Sequence, residues 1–192
     1  MKKMLAIIVI VVLTCGGYAD STDGGQIPRK GFVVGAGIGG GILVTADHSD
    51  RKAYAKMSLL NLKLGYMITP STELCLHIPS GGHWENKETR AFEGVLAGGK
   101  HWFSERCWGL ATAGLAMDMP PFYDVENEDP EMYFGFAAGI STGFDIIRKR
   151  SSALDVQIRY LYGNCDVDGS RKQYSAVDFL VGFNWYPSNR KK

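Results

Sequence analysis

Many stretches of this chain are apolar at every second position while almost none is apolar throughout, and that alternation constrains the fold more than any other feature. In AVDFLVGFNWYP, Ala176 to Pro187, the side chains of Val177, Phe179, Val181, Phe183 and Trp185 share one face of an extended strand, and Asp178, Leu180, Gly182, Asn184 and Tyr186 share the other. Such a strand needs two different surroundings. A soluble sandwich hides the apolar face in a dry core, whereas a barrel in a membrane turns it toward lipid.

Eight stretches have this character. They run approximately Gly31 to Thr45, Met57 to Ile68, Glu73 to Ile78, Ala91 to Phe103, Cys107 to Met117, Met132 to Ile147, Ala153 to Gly163 and Ser175 to Tyr186. None carries a 3.6-residue stripe that outweighs its period of two, so the chain reads as all-β. The connections alternate in length. ADHSDRKAYAK, PSGGHWENKETR, DMPPFYDVENEDPE and NCDVDGSRKQY are long and polar, whereas TPST, SER and RKRSS are short. Long, short, long, short means that odd hairpins loop out at one end and even ones turn tightly at the other, as in an eight-stranded antiparallel up-and-down transmembrane β-barrel with long outer loops and short periplasmic turns.

The second face decides between lipid and a dry core. Lys63 shares a face with Asn61 and Gly65, Asp145 with Gly139, Ser141 and Gly143, and Asp155 and Arg159 with Gln157, while Leu60, Leu62, Leu64, Phe134, Phe136, Ile140, Val156 and Ile158 take the opposite faces. An unpaired ion in a dry core costs several kcal/mol, and a charge on lipid at the midplane costs about 2 to 4 kcal/mol. Lys63, Glu93, Asp145, Asp155, Arg159 and Asp178 are therefore expected inside a narrow lumen, pairing with one another and closing it. Glu93 and Lys100 fall on opposite faces of the fourth segment, which requires Lys100 to snorkel to the inner interface or a bulge to reset the register. The fifth segment has no decisive face, and the third is too short to span unless it continues through Pro79. Aromatic residues near strand ends suggest interfacial girdles: Tyr66, Trp102, Trp108, Trp185 and Tyr186 at the periplasmic side, Tyr162 with Tyr133 and Tyr174 at the outer side.

The first residues read as a secretory signal peptide. Lys2 and Lys3, the apolar run LAIIVIVVL, and Gly17 and Ala19 before Asp20 have the order of charged, apolar and small-residue regions that precedes cleavage. Cys15 follows Val12, Leu13 and Thr14 as a lipidated cysteine would, although threonine suits the preceding position poorly. The expected organisation is a leader at 1–19, a periplasmic segment at 20–30, the barrel at 31–187 and a basic tail at 188–192. Without the leader, 19 basic residues stand against 20 acidic ones, and such near-neutrality argues against a nucleic-acid partner. Cys75, Cys107 and Cys165 are an odd set and do not make a disulfide scaffold.

Catalytic and cofactor patterns are weak. Gly35, Gly37 and Gly40 satisfy GxGxxG, but no helix or spaced acid follows. His83 lies near Ser80 and Glu85, and His48 beside Asp47 and Ser49, in loops where such residues are common. His77 and His101 with the cysteines lack zinc spacing, and the acidic stretch of Asp118, Asp124, Glu126, Glu128, Asp129 and Glu131 lacks calcium-loop spacing. No cofactor, metal or catalytic residue is expected. Two alternatives carry different chemistry: a lipid A-modifying outer-membrane enzyme built on the loop histidines, and a soluble lipocalin-like barrel for an apolar ligand.

In its eight spans and the last-strand motif DFLVGFNWY, the chain resembles the small eight-stranded outer-membrane β-barrel family, of the OmpA transmembrane domain and OmpX type, sometimes described as porin-like. The resemblance implies a Gram-negative outer membrane reached by Sec export, no cofactor, contact with outer-membrane lipids and lipopolysaccharide, a monomer, and insertion by the barrel-assembly machinery. Members usually end on an aromatic residue. Here Trp185 and Tyr186 are followed by PSNRKK, off that pattern.

Overall fold

A strand with one apolar and one mixed face satisfies its backbone only by pairing on both edges, and a closed sheet does this without leaving an edge. The computed structural model describes residues 29–47, 50–85, 88–120 and 131–189 and shows that closure. The strands are β1 (Gly31–Asp47), β2 (Asp50–Thr69), β3 (Thr72–Ile78), β4 (Gly82–Glu85), β5 (Glu88–Trp102), β6 (Cys107–Met119), β7 (Tyr133–Arg148), β8 (Ser152–Val167) and β9 (Ser170–Trp185), followed by a 3-10 turn at Pro187–Asn189. All pairings are antiparallel between neighbouring staves, and β1 closes the ring against β9 from Val34↔Trp185 to Ala46↔Gln173.

β3 and β4 form one stave, so the ring has eight. Pro79 has no N–H to give and interrupts the ladder. The carbonyls of Pro79 and Gly81 still accept from the N–H groups of Gly94 (3.1 Å) and Phe92 (3.0 Å), and β4 resumes pairing with β5 at Gly82↔Ala91. The third span thus continues past Pro79 as its length requires.

Three of the four long connections are shorter than their polarity suggests. β1 runs to Asp47 and β2 starts at Asp50, β4 and β5 are separated by residues 86–87, and β8 and β9 by Asp168 and Gly169 alone, at φ 51° and 75°. Those angles are what a two-residue hairpin turn consistent with strand twist demands. Polar residues were expected in loops there, but strands that have left the apolar band stay paired in water. Sixteen residues of β8 at about 3.3 Å each, tilted about 40°, rise about 40 Å, against an apolar band of about 25 Å. Tight turns at 70–71, 103–106 and 149–151 define the opposite, short-turn end.

Besides a one-residue shift at Ile68 next to the 70–71 turn, two bulges adjust the wall. Ile38 of β1 faces both Leu59 and Leu60, and Ile146 and Ile147 add one residue to β7 between Asp145↔Asp155 and Ile147↔Leu154. In each case both residues of the bulged pair are exposed. Hydrophobic side chains stay outside on either side of the irregularity.

Candidate functional site

The outer wall is apolar almost throughout. Phe32, Ile38, Leu64, Leu74, Val95, Phe136, Ile146, Val156 and Phe179 are among many large side chains lying fully on the exterior, with Phe179 at 64% exposure and its chain neighbour Asp178 at 0%. Such a surface is far larger than the few hundred Å² that a water-soluble monomer tolerates. The exterior is built for hydrocarbon, and the interior holds the ions.

Inside, the side chains stack in layers between the two ends. Nearest the long-hairpin end, Asp118 is gripped by Arg90 Nε at 3.0 Å, by the Tyr174 hydroxyl and by Lys172 Nζ at 3.9 Å. Below it lies an apolar layer in which Phe92 stacks on Tyr174 with centroids 4.4 Å apart, together with Leu43, Leu96, Leu161 and Ala176. The next layer is charged. Arg159 directs Nε and Nη2 to Asp178 Oδ2 at 3.0 and 2.7 Å and Nη1 to Asn61, while Lys56 Nζ reaches the same carboxylate at 3.3 Å and Ser58 Oγ donates to Oδ1 at 3.3 Å.

Toward the short-turn end a cavity of about 30 Å³, room for one or two waters, separates that layer from the next and is lined by Asn61, Lys63, His77, Lys100, Asp155 and Asn184. Lys63 Nζ donates to Glu73 Oε2 at 3.3 Å, and Asn184 Nδ2 to Asp155 Oδ2 at 2.6 Å. Lys100 Nζ stands 4.0 Å from Asp155, 3.7 Å from the Trp108 ring centre and 4.5 Å from that of Trp102. Quadrupole and carboxylate together hold an ammonium that has left water. At the mouth, Asp145 accepts from Arg29 Nη2 at 3.0 Å and from Trp102 Nε1 at 3.4 Å.

The predicted lumen residues separate cleanly. Lys63, Asp145, Asp155, Arg159 and Asp178 are all inside and buried. Glu93 is not: it lies on the outward face of β5, where Ser80 Oγ donates to it at 2.7 Å. β5 alternates without a register shift, with Phe92, Leu96, Lys100 and Trp102 inward, so Lys100 takes the lumen position and neither snorkelling nor a bulge is needed. Arg29, Lys56, Glu73 and Asp118, the last with Arg90 and Lys172, add further ion pairs. Glu73 shares its parity with His77 and was within reach of the sequence, whereas Lys56 and Asp118 sat in stretches whose polarity suggested loops.

The girdle needs a larger correction. Tyr66 and Tyr162 are exposed, and Trp185 lies half-buried on the outward side of β9. Trp102, Trp108 and Tyr186 are buried at 3%, 2% and 3% exposure, and Tyr174 is buried as well. In β6 the inward set is Trp108, Leu110, Thr112, Ala116 and Asp118, and the outward set Ala111, Ala113 and Leu115. The bulky face turns inward there because Gly143, paired with Trp108 on β7, leaves a hole that the indole fills. Trp84, at 70% exposure, and Phe32, edge-on to Tyr66 at 5.3 Å, are outward aromatics that position along the chain did not single out.

Among the described residues, the loop histidine His83 and the candidate nucleophile Ser80 take different places. His83 is buried with its ring 5.1 Å from Tyr54, while Ser80 Oγ serves Glu93 on the outer wall. His48, Ser49, Asp124, Glu126, Glu128, Asp129, the leader with Cys15 and the last three residues lie outside the described residues. Among the described residues no three metal-capable side chains gather, and Cys75, Cys107 and Cys165 are free thiols.

Eight staves closed without an edge, hydrocarbon outside and ion pairs inside, define a transmembrane-type β-barrel. The fold is that of the small outer-membrane barrels: Ail, the attachment invasion locus protein of Yersinia pestis, superposes with a TM-score of 0.58 at 13% identity over 81% of this chain and 99% of its own. Neisserial surface protein A superposes equally well, at 0.58 and 12% identity over 82% of this chain and 98% of its own. No protein family and no curated protein matches the sequence.

Proposed function

We propose that the protein spans a Gram-negative outer membrane as a monomeric, non-enzymatic barrel, reached by Sec export and inserted by the barrel-assembly machinery, with an envelope-structural or surface-contact role. One observation carries the reading: Phe179 and Val181 face outward while Asp178 and Leu180, which alternate with them, and Arg159, paired with Asp178 on β8, are sealed inside. A soluble ligand-carrying barrel needs the reverse. Outer-membrane lipids and lipopolysaccharide are the partners such a wall would meet. The β8–β9 hairpin, paired up to its two-residue turn, and the other long hairpins offer the surface that would make contacts outside, in keeping with the names of Ail and Neisserial surface protein A. Burial of the apolar layer around Phe92 and Tyr174, stacked on the Arg159–Asp178 layer, supports a lumen closed to ions.

The test is gel migration of an outer-membrane fraction with and without boiling. A folded barrel migrates differently until boiled, and absence of the protein from that fraction, or recovery as a monomer in detergent-free buffer, would overturn the assignment. Planar-bilayer recordings address the lumen separately, where large stable conductance contradicts closure.

A further inference from the structure

We propose that Arg29 and Lys30, where the chain enters β1, form a strap across the short-turn mouth of the barrel, with Arg29 as its latch. Three independent contacts hold this arginine. Its Nη2 donates to the Glu105 carbonyl at 2.6 Å and to Asp145 Oδ2 at 3.0 Å, and its guanidinium lies over the Trp102 ring at 4.2 Å. The side chain thereby ties the residues before the barrel to the β5–β6 turn, to β7 and to the last residue of β5. It is 6% exposed, though only Lys30 separates it from the first strand.

The backbone is built to deliver it. Gly31 has φ +73°, a left-handed conformation that turns the entering chain across the mouth, and a Cβ there would collide with Ser188 Oγ of the 3-10 turn that follows β9. The two ends of the barrel chain thus meet at one point on the rim, and their packing aims Arg29 inward. Behind it, Trp102, Lys100 and Trp108 continue the stack as alternating cations and rings. Asp145 is fully buried, and without Arg29 its nearest remaining donor is the Trp102 indole at 3.4 Å. A buried carboxylate left that way draws water in.

Cys75 reports on this seal. It faces the lumen at the same end, packed in one cluster with Trp102, Trp108 and Tyr186, and is 7% exposed. In the full chain carrying C15S, C107A and C165A, folded in detergent micelles, a sulfonated maleimide should label Cys75 slowly. R29A should raise the rate by about tenfold or more, the factor expected when a hydrogen bond to a charged partner stops opposing local opening. G31A, with Arg29 intact, should also accelerate labelling because the strap can no longer turn past Ser188. R29K, keeping charge but losing the planar fork, should fall between. Gel migration before boiling certifies each barrel as folded. Labelling of folded R29A and folded G31A within twofold of the parent would overturn the strap; should R29A fail to fold, G31A alone decides.

Discussion

Asp178→Ala tests whether the lumen behaves as a low-dielectric interior. The substitution strands two cations at once: Arg159, at 1% exposure, loses two hydrogen bonds, and Lys56, with no side-chain exposure, loses the only carboxylate within 4 Å of it among the described residues. Ser58 loses its acceptor too. In a wide water-filled pore, charges 4 Å apart attract by only about 1 kcal/mol, and screening reduces that further. In a sealed interior, removing one partner of a buried pair costs about 3 to 5 kcal/mol. Urea unfolding of the protein in lipid vesicles, followed by the boiling-sensitive band, measures the difference, with an unchanged dependence on urea showing that the unfolded state is comparable. The triple replacement K56M, R159L and D178L should recover most of the loss, since well-packed apolar side chains substitute for buried ion pairs at little cost. A loss below about 1 kcal/mol for D178A, with unchanged urea dependence, would refute the sealed interior.

Three further outcomes follow from the same wall and filling. Phe179→Arg, one residue away but facing out, should cost about 2 to 4 kcal/mol in bilayers if it lies near the midplane, and a neutral effect there would argue against lipid on that face. Phe92→Ala should cost about 3 to 5 kcal/mol by opening a void beside Tyr174, read by the same unfolding. Gly143→Ala puts a methyl into the Trp108 indole and should cost about 1 to 3 kcal/mol, with W108F in the same chain recovering part of it; equal stability of G143A and the parent would remove the hole-filling account of β6.

Strand number, the facing of six spans and five of the inward charges were legible because period-two alternation and ion desolvation act locally, residue by residue. Three things were not. Trp102, Trp108 and Tyr186 stand near strand ends, where an outward girdle is the ordinary expectation, and only cross-strand pairing reveals the glycine space that draws Trp108 inward. Glu93 was placed with the lumen charges because it is charged, although its parity opposes that of Lys100; Ser80, thirteen residues earlier, supplies the partner that lets it stay outside. Arg29 lies before the first alternating stretch, so nothing in the pattern marks it. Polarity was also a poor guide to loops, since β8 and β9 continue as paired strands through Asp166, Arg171 and Lys172 up to a two-residue turn.

The seam between β1 and β9 has a consequence for assembly order. Every other stave joins its neighbour in the chain, so those hairpins zip from nearby turns with little loss of entropy, whereas this pairing brings opposite ends of the polypeptide together and carries the largest loop-closure cost. Along it, β1 contributes Gly35, Gly37, Gly39, Gly40 and Gly41. With glycine at five of the thirteen β1 positions paired with β9, the middle of this edge has few side chains to interlock, and the loop-closure cost favours sealing the cylinder after the hairpins have formed.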